Sequence, residues 1–441
     1  MKYSQYPVFE SVESRLHDDV EIDSYAPLKN RTEAAFLGID IGSTSTKAVL
    51  LGTSGKVLAG FYTRTAGRPV AALQKILAAI HTTLVANNAA LSISGAATTG
   101  SGRKFVGKII GADLVLDEIT AHARAAVQLD PTVDTIIEIG GQDSKFTTLK
   151  DGRVTFSTMN TVCAAGTGSF IEEQARKLGC PLADYSRRTE NRRAPVSSDR
   201  CTVFMERDIN HLLSEGYAID DALASVLHSI VENYLTKVAT EHHIGETIFF
   251  QGATAKNRAL VAAFEQRLQK PIQVSEFCHL TGALGAALSL ADAPALKTTF
   301  KGLGLYARKI PITSEVCELC TNHCKITVAA VEGANVACGF LCGRDYDSGG
   351  YVDNNRSGFD LIKTRKRLFK VSSPERAGGS VTIGLPAALH MHADVPFWQH
   401  FFHTLSVATI TSDRFKASVK LGKHIAGAEF CAPMAALHGH V

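Results

Sequence analysis

The chain has little of what would place it quickly. It lacks an excess of charge of either sign: 46 lysines and arginines stand against 43 aspartates and glutamates, a net +3 over 441 residues. That balance leaves no electrostatic footprint for a nucleic acid. The short basic run at 363–367 reads as a solvated face. No apolar run approaches the length of a membrane span. The first 25 residues carry acids and no apolar stretch, so they are not a signal peptide. The expectation is a soluble, cytoplasmic chain with neither nucleic acid nor membrane as partner. Ten cysteines in such a chain point to metal or redox chemistry before disulfides. With 45% hydrophobic residues, two or three domains with real cores are within reach.

Residues 1–35 are polar and irregular, an arm or linker. The stretch "AAFLGIDIGSTSTKAVLLGTSGKVLAGFYTRT" then reads as apolar strands joined by glycine-containing turns at Gly42-Ser43-Thr44 and Thr53-Ser54-Gly55. Val70, Leu73, Ile76, Leu77 and Ile80 have helical spacing. A second unit begins near Thr135. "IDIGSTSTK", from Ile39, and "IEIGGQDSK", from Ile137, share isoleucine, acid, isoleucine, glycine and lysine in register, 98 residues apart. Each precedes a hairpin with a glycine turn, Gly55 or Gly152, so the pattern is an internal duplication. Helical stretches follow near 168–178 and 217–240, and Gly-entered helices follow "FFQGATAKN" and "HLTGALG". The organisation is α/β: a first lobe at 36–134, a second at 135–295, a Cys-rich segment at 296–366, and the start of an incomplete α/β domain at 367–441. One strand–helix pair and part of another would be unstable alone, so the chain reads as a fragment of a longer protein.

Two facing strand–turn–strand units suit a phosphate chain. Glycines at 42, 140 and 141 let backbone N–H groups approach phosphate oxygens, and Ser43, Thr44 and Thr46 add hydroxyls. Asp40 and Asp143 are carboxylates placed for Mg²⁺, directly or through water. Lys47 is either a phosphate contact or the end of a strand. The bland alternative, ordinary hairpin turns, loses weight because two occur in register with further turns at Gly252 and Gly282.

In "MNTVCAAGTGSF", Cys163 precedes Gly166-Thr167-Gly168, and a helix is expected from about Ser169. Cys201, in "SSDRCTVFMERDINHLL", also lies near an expected helix start. Helix N-termini favour thiolates and offer N–H groups to cluster sulfurs. The residues alone leave two buried structural cysteines equally open.

"IDIGSTSTK", "IEIGGQDSK" and "GATAKN…LTGALGAAL" resemble the two phosphate motifs and the adenosine motif of the acetate kinase, sugar kinase, Hsp70 and actin superfamily. More narrowly, "IEIGGQDSK…MNTVCAAGTGSF" followed by "DRCTVF" resembles the activator ATPases of 2-hydroxyacyl-CoA dehydratases and the ATPase subunits of benzoyl-CoA reductase. The likeness covers about residues 36–292. It departs at Ala253, where the family usually has glycine. The flanks resemble the long, multidomain CoA-substrate-specific enzyme activases. The resemblance implies duplicated ribonuclease H-like (actin-like ATPase) lobes. It implies ATP held by Gly42, Ser43, Thr44, Lys47, Gly140, Gly141, Gln142, Gly166, Thr167, Gly168, Gly252, Ala253, Asn257, Gly282 and Ala283, with Mg²⁺ at the catalytic Asp40 and Asp143. It also implies a 4Fe–4S cluster on the axis of a homodimer, held by Cys163 and Cys201 of each copy. The implied function is an activase: ferredoxin or flavodoxin reduces the cluster, and ATP hydrolysis drives one low-potential electron to an iron–sulfur acyl-CoA dehydratase or reductase.

"CELCTNHC", with Cys317, Cys320 and Cys324, followed by Cys342, has metal-ligand spacing suited to zinc or a second iron–sulfur cluster. Cys338 is an extra. Two other functions stay in view: a small-molecule kinase with Asp143 as base, and a non-catalytic nucleotide-sensing domain with structural zinc.

Overall fold

Strand β3 (Thr32–Ile41) runs antiparallel to β4 (Ser45–Gly52), which pairs with β5 (Val57–Arg64). A crossover through α1 (Pro69–Ala86) returns the chain as β6 (Ala90–Thr99), parallel to β3. The sheet then gains β7 (Leu114–Val115), reached through α2 (Arg103–Ile110). The expected apolar face of α1, including Leu73, Ile76 and Ile80, is buried in this lobe's core. By length and composition α1 could cross a membrane; here it is a core helix.

Helix α3 (Glu118–Leu129), capped by the Asp117 side chain on the Thr120 N–H, leads into the second lobe. There β8 (Thr135–Ile139), β9 (Ser144–Lys150) and β10 (Arg153–Met159) repeat the antiparallel meander. After α4 (Gly168–Lys177), α5 (Tyr185–Thr189), α6 (Thr202–Ser214) and α7 (Ile219–Lys237), β11 (Ile248–Gln251) lies parallel to β8. Helix α8 (Arg258–Leu268) then leads to β12 (Ile272–Gln273), parallel to β11. The orders β5-β4-β3-β6-β7 and β10-β9-β8-β11-β12 are one permutation used twice. The repeat holds at residue level. Asp40 pairs across strands with Lys47, and Glu138 with Lys145. The Gly42 N–H donates to Ser45 O at 2.9 Å, and the Gly140 N–H to Asp143 O at 2.8 Å.

Packing departs from the expected boundaries in two places. Residues 13–24, expected as irregular, form the hairpin β1 (Glu13–His17) and β2 (Val20–Ser24) on the β5 edge. Asp18 and Asp19, both at positive φ (46° and 63°), make its two-residue turn. Val20 and Ile22 bury one face. Helix α9 (Thr281–Ala291), placed in the second lobe by sequence order, lies on the first lobe's sheet. A side chain at Gly38 of β3 would put its first carbon 2.0 Å from Ala283 O, and one at Gly285 would fall 1.7 Å from Ala121 O of α3. Both glycines are therefore needed for backbone to approach backbone. The Cys-rich segment adds β13 (Ile312–Val316), β14 (Lys325–Val331) and β15 (Ala334–Cys338), an antiparallel sheet. Its Ala329, Val331 and Val336 join the first lobe's core.

This computed structural model describes residues 13–160, 166–239, 243–293, 297–318, 323–340, 364, 367, 381–412, 415, 417–426 and 432–441. These elements belong to one unit, Met1–Gly349; Gly350–Val441 is a second. In the second unit β16 (Thr382–Leu385) and β17 (Ala408–Thr411) pair in parallel across α10 (Met391–Thr404). Helices α11 (Ser418–Ala426) and α12 (Ala432–His440) follow, with Gly422 close against Ala435.

Candidate nucleotide site

The turns after β3 and β8 face each other across an open cleft of about 1300 Å³. A side chain at Gly141 would strike Thr44, its first carbon 2.3 Å from Oγ1. Each repeat contributes a lysine held by its cross-strand acid, Lys47 half-buried and Lys145 buried. Lys47 Nζ lies 3.0 Å from Asp40 Oδ2. Lys145 Nζ meets three carboxylates: Glu118 at 2.7 Å, Glu138 at 3.0 Å and Asp143 at 3.2 Å. His122, four residues after Glu118 on α3, places Nε2 3.5 Å from Glu138 and Nδ1 2.7 Å from Gln251 Oε1 at the end of β11.

Burial works against ionising Asp40, yet Lys47, His122 and Lys145 outweigh it and hold the carboxyl below its ordinary range. Burial likewise disfavours the charged forms of Lys47 and Lys145. Asp40 acting on Lys47, and Glu138, Glu118 and Asp143 acting on Lys145, reverse it and raise both. The cleft therefore presents two charged lysines and an ionised Asp40 at neutral pH, with the glycine turns between them.

On the opposite wall, β11 is followed by Gly252, at φ 98°, where a side chain would collide with Ile139 O. A 3-10 turn, Ala253–Lys256, follows. Asn257 then caps α8, accepting from the Ala259 and Leu260 N–H groups, and Ser186 donates to its Oδ1 at 2.8 Å.

Of the residues expected to bind nucleotide, Asp40, Gly42, Ser43, Thr44, Lys47, Gly140, Gly141, Gln142, Asp143, Gly168, Gly252, Ala253, Asn257 and Gly282 line this cleft. Three do not. Thr167 is fully buried at the N-cap of α4, Gly166 packs against Asn233, and Ala283 packs on Gly38. Sequence reasoning passed over Glu118, His122, Glu138 and Lys145. The last two were readable as the repeat's counterparts of Asp40 and Lys47. Glu118 and His122 carried only an i, i+4 spacing.

Cys163, Cys320 and Cys342 lie outside the described residues. Cys201 is half-buried at the N-cap of α6, where its carbonyl accepts from the Phe204 and Met205 N–H groups. The Asn233 side chain donates to Asp199 O and Arg200 O, at 2.6 and 2.8 Å, just before Cys201. The same side chain abuts Gly166, where an added carbon would fall 2.9 Å from Oδ1. Cys317 and Cys324 are buried partners at the loop end of the β13–β14 hairpin, with the Cys317 N–H on Cys324 O at 2.8 Å. Cys338 packs instead toward the first lobe's core.

Two duplicated lobes, paired glycine turns and a cleft of lysines and carboxylates are the frame of an ATPase of the actin-like fold. Residues 37–289 match the BadF/BadG/BcrA/BcrD ATPase family over more than half the chain, and the chain belongs to that family. Residues 382–441 match the CoA enzyme activase uncharacterised domain. The (R)-2-hydroxyglutaryl-CoA dehydratase activating ATPase of Acidaminococcus fermentans is 33% identical over 57% of this chain and 95% of its own. The activator of lactoyl-CoA dehydratase of Anaerotignum propionicum is 35% identical over 58% of this chain and 97% of its own. The matched part spans only 63% of an uncharacterised protein of Methanocaldococcus jannaschii, at 31% identity. Among solved structures, the A. fermentans dehydratase component A aligns with a TM-score of 0.53 at 30% identity, over 59% of this chain and all of that one. The activator of the 2-hydroxyisocaproyl-CoA dehydratase from Clostridium difficile, with bound ADPNP, gives 0.52 at 32% identity, over 58% and 94%.

Proposed function

We propose that the chain is an ATP-dependent electron-transfer activase of the cytoplasm, working as a homodimer on an iron–sulfur acyl-CoA dehydratase or reductase. Ferredoxin or flavodoxin would be its electron donor. The observation that carries this reading is a mechanical join. The Gly168 and Ser169 N–H groups donate to Gly140 O and Gly141 O, both at 2.9 Å. The start of α4, just beyond the segment that holds Cys163, is thus bonded to the second phosphate turn. Asn233 links that segment's end, Gly166, to the residues before Cys201. A shift of the turn on gaining or losing a phosphate would be passed to both cysteine-bearing segments.

In this mechanism the turns at 42–44 and 140–142 and the Lys47 ammonium take the phosphate chain, while Lys145 stays with its three carboxylates. Asp40 and Asp143 would hold Mg²⁺, directly or through its waters. Water attacks the γ-phosphorus, the bridging P–O bond breaks, and ADP leaves. Cys163 and Cys201 of two copies would hold the 4Fe–4S cluster, and Cys201 suits this role. It is partly accessible at a helix N-terminus, whose N–H groups can bond cluster sulfurs. When bound, the cluster supplies the low-potential electron. Cys317 and Cys324, joined backbone to backbone, support a second metal, zinc or iron–sulfur, in the Cys-rich segment.

The test is anaerobic purification with iron and sulfide analysis and EPR. The wild type should be brown, with about one four-iron cluster per dimer. Cys201→Ala should lose that iron and keep ATP binding. A colourless wild type that binds ATP, or full iron in Cys201→Ala, rejects the electron-transfer reading.

A further inference from the structure

The hairpin β1–β2 precedes the residues that match the ATPase family, yet it reaches the nucleotide cleft. Glu21 of β2 is on the cleft wall, as is His279 just before α9. Asp23 Oδ2 lies 2.9 Å from His279 Nε2, and both residues are buried, at 7% and 5% exposure. The other ring nitrogen, Nδ1, is buried with no hydrogen-bond partner among the described residues. Asp23 is therefore the polar anchor of that ring.

The ring belongs to a turn, residues 277–281, that the first lobe grips in other ways too, through Tyr25 just after β2 and Gly60 of β5. Tyr25 packs on Phe277 with ring centroids 4.7 Å apart. Leu280 fills the space over Gly60, where an added carbon would fall 2.2 Å away. The turn in turn fixes the nucleotide wall. Cys278 O accepts the Gly252 N–H at 2.8 Å, holding the glycine that opens the Ala253–Lys256 turn. Thr281 Oγ1 lies 3.1 Å from His122 Nδ1, beside Glu138.

We propose that Asp23 is a positioning residue for ATP: by fixing His279 it sets the 277–281 turn and, through Cys278 and Gly252, the adenosine-side wall of the cleft. The inference rests on the cleft being the ATP site. Burial drives His279 down to about 4 against the pull of Asp23, so the ring is neutral at pH 7 and its Nε2–H needs an acceptor oxygen rather than a counter-charge.

The experiment measures ADPNP affinity and steady-state ATPase kinetics of the whole chain. Asp23→Ala should weaken ADPNP binding and raise KM for ATP about tenfold, with kcat within about twofold. Asp23→Asn, which keeps an acceptor oxygen, should recover most of that loss. His279→Ala should reproduce the Asp23→Ala pattern and serves if Asp23→Ala does not fold. Arg15→Ala removes another of the hairpin's ties, Arg15 to Thr83 Oγ1 at 2.8 Å, far from the 277–281 turn in sequence, and should leave KM unchanged. Wild-type affinity in Asp23→Ala, equal losses in the Asn and Ala variants, or an equal loss in Arg15→Ala would each overturn the inference alone. No ADPNP binding by the wild type would overturn it together with the assignment of the cleft.

Discussion

Lys145 shows how a single buried side chain records a duplicated ancestry. Its counterpart Lys47 keeps one acid, whereas Lys145 gathers three from β8, the turn after it and α3. The sequence repeat made the acid–lysine register legible, and with it Asp40 and the glycine turns. It could not reveal Glu118 and His122, because α3 lies outside the repeated unit and reaches the cleft only through tertiary packing. His279 gives this scale a pH dependence. Its folded value near 4 lies below the ordinary 6.5. Between those limits the unfolded chain takes up a proton that the folded chain refuses, so stability falls as pH drops from 6.5 toward 4. Urea midpoints at pH 7, 6 and 5 should decline, and His279→Gln should flatten part of that decline. An unchanged slope in the variant would rule out His279 as a source.

Elements with strong periodicity were legible: α1, the two meanders and α9 all form where the pattern put them. The β1–β2 hairpin was not. Its strands are five residues each, carry acids on the open face, and depend on an Asp-Asp turn that looks like linker sequence. The position of α9 was illegible for another reason: an apolar, glycine-rich helix declares that it is buried but not against what. Its partner is decided by Gly38 and Gly285, which let it sit on β3 and cross α3. Gly285→Ala should therefore cost about 1–3 kcal/mol, measured by urea denaturation, because the added methyl meets Ala121 backbone and not a flexible side chain. A neutral result would mean that the helices part easily.

At the scale of the molecule, the cleft is spanned even without its nucleotide wall contacts. Arg64 of the first lobe pairs with Glu172 of α4, and Thr44 abuts Gly141. ATP between the lobes should add its binding energy to folding, about 2.7 kcal/mol at a hundredfold excess over Kd. Thermal melts with and without MgATP should show the rise; an unmoved midpoint would argue against a site bridging the lobes. The placement of α9 has a consequence for synthesis. While the polypeptide emerges from the ribosome, the earliest sheet to appear keeps one apolar surface bare until residue 291 has cleared the exit tunnel. The second lobe's sheet must be made in the interval, so the first lobe reaches its finished form after it, and a chaperone has that span of translation in which to shield it.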